Sequence, residues 1–123
     1  MAAPFTSDVI DTLYADLVAA MSAPVSNKYQ RPACKIAQKV GEEAVEVVIE
    51  AVKNDKEKLA DESADLLYQL IALWAARGLD PEQVYLHLEE RCQAVRMEVA
   101  QSGQRLAPRQ TWVSSFYGVA ARP

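Results

Sequence analysis

Residues 35–53, KIAQKVGEEAVEVVIEAVK, decide the fold of this chain. At about 100° per residue, Lys35, Lys39, Glu42, Glu43, Glu46 and Glu50 fall within one arc of about 100°. Nearly everything outside that arc is apolar: Ile36, Val40, Ala44, Val45, Val47, Val48, Ile49, Ala51 and Val52. An ordinary surface helix carries a polar face at least as broad as its apolar one. The stretch therefore reads as a helix that needs cover over most of its circumference, with carboxylates confined to a narrow strip. There they are costly unless a cation meets them. The following segment repeats the arrangement, because Asp61, Glu62, Asp65 and Gln69 share a face with only Ala72 and Ala76 beside them. Small neighbours leave room. The pattern predicts a buried or half-buried site for a metal ion and phosphate.

Bulk properties bound the class. A chain of 123 residues suits one domain, and its 50% hydrophobic content is that of a globular protein. No apolar run reaches the roughly 20 residues needed to span a bilayer. Met1-Ala2-Ala3-Pro4 lacks a basic region, so no cleaved signal is expected. Cys34 and Cys92 have no metal-ligand spacing and fit reduced thiols of a cytoplasmic protein. A net charge of −4 without a basic block argues against nucleic-acid binding, but not against a small anionic substrate met by local cations.

Four helical segments and no strand alternation predict an all-α fold, an antiparallel bundle of about four helices. The first runs over residues 7–21, and a polar connector then leads to Pro32, which suits a first helical turn. The second ends at Lys53, Asn54-Asp55 breaks it and starts the third, and Gly78 stops the third after Arg77. Asp80-Pro81-Glu82-Gln83 opens the fourth. So short a link makes the second and third helices antiparallel neighbours, with Glu43 and Asp65 near their midpoints. One neighbour cannot cover the second helix, so a homodimer or higher homo-oligomer is expected to complete the core. The helical domain is placed at residues 1–102 and an irregular tail at 103–123. The tail's Trp112, Phe116 and Tyr117 suit either a frayed end or an arm docked on a neighbouring subunit.

The carboxylates suggest the chemistry. Magnesium takes oxygen ligands and is commonly held by a few carboxylates together with substrate phosphates. Glu43 and Glu46 from one helix and Glu62 and Asp65 from the other supply such a set, each pair one turn apart. Glu42 adds a fifth acid at the edge. Lys35 and Lys39, on the same face, are placed to meet phosphates, with Lys28 and Arg31 of the connector completing a cationic rim. Against this stands the plainer reading of a solvated Glu/Lys face, in which Lys39 pairs with Glu42 or Glu43. His87 reads as a surface residue, and Tyr68 and Trp74 as packing.

At these residues the chain resembles a known family. Lys39-Val40-Gly41-Glu42-Glu43-Ala44-Val45-Glu46, followed by Glu62-Ser63-Ala64-Asp65-Leu66-Leu67-Tyr68, is similar to the phosphoribosyl-ATP pyrophosphohydrolases of histidine biosynthesis. These belong to the all-α, MazG-like nucleoside-triphosphate pyrophosphohydrolases. The similarity is strongest over residues 35–91. It implies a dimeric helical enzyme that uses Mg2+, with Mn2+ as substitute, to hydrolyse phosphoribosyl-ATP to phosphoribosyl-AMP and pyrophosphate. It also implies Glu42, Glu43, Glu46, Glu62 and Asp65 as the catalytic acids. Lys35, Lys39, Arg31 and Gln69 would lie toward the substrate. Gln69 stands where the family carries histidine, and Ser26-Asn27-Lys28-Tyr29-Gln30-Arg31 replaces its usual Ser-Tyr-Thr element. Both departures keep open a related enzyme acting on another nucleoside triphosphate. A non-catalytic helical interaction module is the reading from another class.

Overall fold

The structure is a computed structural model and describes residues 8–103. It contains α1 (Asp8–Ser22), α2 (Ala33–Lys53), α3 (Lys56–Arg77) and α4 (Pro81–Gln101), and no strand among the described residues. The all-α class read from the sequence is the class observed.

Local chemistry sets the helix ends. α2 begins directly after Pro32, whose ring presets a helix-compatible φ. It stops at Asn54, which takes the left-handed conformation (φ 59°) and donates its N–H to the Ala51 carbonyl. Asp55 then caps α3, its carboxylate accepting from Lys58 N at 3.1 Å. Gly78 (φ 69°) closes α3 in the left-handed region, and Asp80 accepts from Glu82 N at 3.0 Å to start α4. Only Asn54 and Asp55 separate α2 from α3.

The described chain divides into two compact units, one ending at Leu86 and one beginning at His87. In the first, α2 and α1 both pack on α3 around Leu17, Ile36, Ile71 and Ala72, with Tyr14, Met21 and Trp74 against them. Trp74 is thus a packing residue. Tyr85, at the start of α4, donates its hydroxyl to Asp11 Oδ1 at 2.8 Å. Burial first, and then that carboxylate, push the Tyr85 hydroxyl up to about 12, which keeps it a donor at neutral pH. In the second unit the rest of α4 carries exposed Leu88, Val95, Met97 and Val99. His87 is exposed as expected, paired with Glu90 at 3.2 Å. Residues Trp112, Phe116 and Tyr117 of the expected tail lie outside the described residues. Cys34 and Cys92 are both free and exposed. No helix among the described residues is long and apolar enough to cross a membrane.

On α2 the burial runs against the simple amphipathic expectation. Val45, Val48, Ile49 and Val52, spaced as one helical stripe, are 58, 46, 42 and 67% exposed. Glu50, placed by projection in the polar strip, is buried instead, with Lys53 Nζ 3.6 Å from its carboxylate. α2 therefore has two apolar faces. The one carrying Ile36 is filled by α1 and α3, and the second is left exposed by the described residues.

Candidate active site

Glu43 on α2 and Glu62 and Asp65 on α3 each bring a carboxylate oxygen into one group, all within 4.8 Å of one another. Glu62 and Asp65 stand one turn apart on one face of α3, which is why both reach the same point. Two helices that pack side by side bring Glu43 to meet them. Glu43 and Glu62 are half-buried and Asp65 is exposed. Partial burial, followed by the carboxylates of Glu46, Asp65, Asp61 and Glu43, holds the Glu62 carboxyl above its usual range. The donor set is three carboxylates, with no histidine or thiolate in it. Hard, oxygen-seeking divalent ions suit such a set, and three protein oxygens leave positions for water and phosphate.

The remaining acids sit differently from a buried strip. Glu46 is exposed and outside the three-oxygen group, yet near enough to Glu62 to repel its charge. Glu42 is also exposed, and takes Lys39 Nζ at 3.3 Å and Gln38 Nε2 at 3.3 Å. Lys39 also reaches Glu43 at 3.4 Å, and both carboxylates hold its ammonium above the usual lysine range, Glu42 the more strongly. The site expected to be buried or half-buried is thus exposed at Glu46 and Asp65, and Glu42, expected at its edge, is exposed as well. Lys35 is exposed and has no ion pair among the described residues.

One turn beyond Asp65 on the same face of α3 lies Gln69, which lines a cavity of about 250 Å³. Tyr68 and Ala72 of α3, Ile36 of α2, and Leu17 and Met21 of α1 form its apolar walls. Lys28, Tyr29 and Arg31 of the α1–α2 connector complete it. Neither Lys28 nor Arg31 is ion-paired among the described residues, and Lys28 Nζ rests 5.3 Å from the centre of the Tyr29 ring. Burial raises the Tyr68 hydroxyl above its usual range against the opposing pull of Lys28 and Arg31.

The connector is a built loop. Asn27 Nδ2 donates to Ala20 O at 2.9 Å and Val25 O at 3.1 Å, while its Oδ1 accepts from Tyr29 N at 2.9 Å. Gln30 Nε2 donates to Ala23 O at 2.7 Å. These bonds fix the backbone on which Lys28, Tyr29 and Arg31 stand. Sequence reading missed Asn27, Gln30 and Tyr29 as organisers and gave Tyr68 only a packing role. An Asn followed two positions later by a residue whose N–H it binds is the Asx-turn signal that marks such a loop.

The family model described as phosphoribosyl-ATP pyrophosphohydrolase matches residues 16–92. Phosphoribosyl-ATP pyrophosphatase of Azospirillum brasilense is 52% identical over 88 residues, covering 68% of this chain and 79% of that protein. Phosphoribosyl-ATP pyrophosphatase 2 of Rhodopseudomonas palustris is 42% identical over 90 residues, covering 69% of each. The phosphoribosyl-ATP pyrophosphatase of Sulfurisphaera tokodaii is 37% identical over 91 residues, 70% of this chain and 97% of the relative.

Proposed function

The chain belongs to the phosphoribosyl-ATP pyrophosphohydrolase family, and from that premise we propose that it hydrolyses phosphoribosyl-ATP in the second step of histidine biosynthesis. Water adds across the anhydride between the α and β phosphates, giving phosphoribosyl-AMP and pyrophosphate. The observation that carries this reading is the meeting of Glu43, Glu62 and Asp65 oxygens within 4.8 Å from two helices. These three, with Glu46 beside them, would hold Mg2+, and Mn2+ would substitute. Bound there, the ion supplies Lewis acidity toward phosphate oxygens and offsets the charge of the polyphosphate. Lys39 and Lys35 bind phosphate oxygens along α2, and Lys28 and Arg31 do so from the connector. Glu42, itself exposed, holds Lys39 in place at 3.3 Å. Half-burial of Glu43 and Glu62 strengthens each of these electrostatic contacts relative to bulk water.

The test is direct. Purified protein with Mg2+ is expected to release pyrophosphate from phosphoribosyl-ATP in preference to common nucleoside triphosphates. Preference for another triphosphate would favour the related-enzyme reading supported by Gln69 and the altered connector. Failure to release pyrophosphate from any of them, with no stabilisation by Mg2+ or Mn2+, would leave an interaction module.

The same reading extends to assembly and setting. α2 and α3 pair antiparallel across their two-residue link, and a second copy covers the Val45, Val48, Ile49, Val52 stripe to form a cytoplasmic homodimer. Val48→Glu puts a charge in the middle of that stripe and is expected to shift the mass seen by light scattering from dimer to monomer. An unchanged dimer in this variant would remove the stripe from the interface.

A further inference from the structure

The cavity at the α1–α2 connector stands apart from the three carboxylates by a distance that both helices give. Seven residues back along α2 from Glu43 is Ile36, and seven forward along α3 from Glu62 and Asp65 are Gln69 and Ala72. Those three residues line the cavity. At the helical rise per residue the separation is about 10 Å along either helix. Neighbouring phosphates of one chain share a bridging oxygen and stand much closer than that. Cations at the cavity are therefore placed for an anion other than the phosphates that the carboxylates would meet through a metal ion.

Two such cations are present. Lys28 and Arg31 line the cavity, are exposed, and form no ion pair among the described residues. The bonds of Asn27 and Gln30 to the Ala20 and Ala23 carbonyls brace the loop that carries them. Burial raises the Tyr68 hydroxyl, and both charges draw it back, which places both near one half-buried ring of the lining. Tyr29 and Tyr68 also offer aromatic surface to a base.

We propose that Lys28 and Arg31 form a second anion subsite, which takes the ribose phosphate carried on the base of phosphoribosyl-ATP. They are then specificity-determining residues, since a plain nucleoside triphosphate lacks that phosphate and leaves both cations unused. The inference rests on the phosphoribosyl-ATP reading and deepens it.

Calorimetric titration with phosphoribosyl-AMP and with AMP, both in Mg2+, tests this, because the two differ by the phosphoribosyl group. The wild-type chain is expected to bind phosphoribosyl-AMP about 10- to 100-fold more tightly. The double variant Lys28→Gln, Arg31→Gln removes both charges from exposed positions and is expected to bring the ratio to within about threefold. The swap Lys28→Arg, Arg31→Lys keeps both charges and is expected to hold the ratio within about threefold of the wild-type value. A wild-type ratio near one, a ratio that survives in the glutamine variant, an equal loss in the charge-keeping swap, or no binding of phosphoribosyl-AMP would each overturn the proposal. The reaction is judged separately, by pyrophosphate from phosphoribosyl-ATP. Wild-type turnover together with an undiminished ratio in the glutamine variant would sink the subsite and leave that reading standing.

Discussion

Asp65→Asn is expected to lower pyrophosphate release from phosphoribosyl-ATP by about a thousandfold while the helical fold persists. The side chain is exposed and forms no ion pair among the described residues, so its loss removes no packing and no salt bridge. What it removes is the negative charge of one of the three carboxylates whose oxygens meet within 4.8 Å. A neutral amide in that place cannot balance a divalent ion, and several kcal/mol of charge stabilisation in the transition state disappear with it. Stability should move the opposite way. Asp65 is one of the carboxylates that repel Glu62, and removing its charge relieves that repulsion. Melting without divalent ion is therefore expected at the wild-type temperature or above it, with the rise in melting temperature on adding Mg2+ lost. Wild-type turnover in this variant would take Asp65 out of the site.

Ile36→Ala is expected to cost about 2–5 kcal/mol, the range for truncating a well-packed aliphatic side chain. Ile36 is 1% exposed, the most buried of the four core residues Leu17, Ile36, Ile71 and Ala72 among the described residues. It lies where α2 reaches the residues of α1 and α3, and it also forms one wall of the cavity next to Gln69. That cavity would widen, since a neighbouring void gives the structure little with which to collapse around the missing atoms. For a domain of this size the loss corresponds to a fall in melting temperature of roughly 10–20 °C, readily followed by circular dichroism. A fall of less than about 3 °C would show that the core does not depend on this contact.

The helices were legible because their signals are local. Pro32, the Asn54-Asp55 break, Gly78 and the Asp80-Pro81 start each act within a turn of themselves, and the observed elements begin and end beside them. The nearness of Glu43 to Glu62 and Asp65 was legible as well, since two long helices joined by two residues have few ways to pack. Burial was not. Projection places residues on a helix but does not say which of two apolar faces this chain will cover. Val48 was accordingly expected to need cover, which the described residues do not give, and of the acids in the strip it is Glu50 that is fully buried. The connector was opaque for another reason. Its shape depends on Asn27 and Gln30 binding carbonyls seven positions away, a distance at which composition carries no signal.

Asn54 and Asp55 allow α2 and α3 almost no slack. Other residues able to cap and turn at these two positions would preserve the structure, whereas a change in their number would not be absorbed. One residue inserted between Lys56 and Glu62 would rotate the rest of α3 by about 100° relative to its start, swinging Glu62 and Asp65 off the bearing of Glu43. Spelling can drift at this corner of the molecule, but counting cannot.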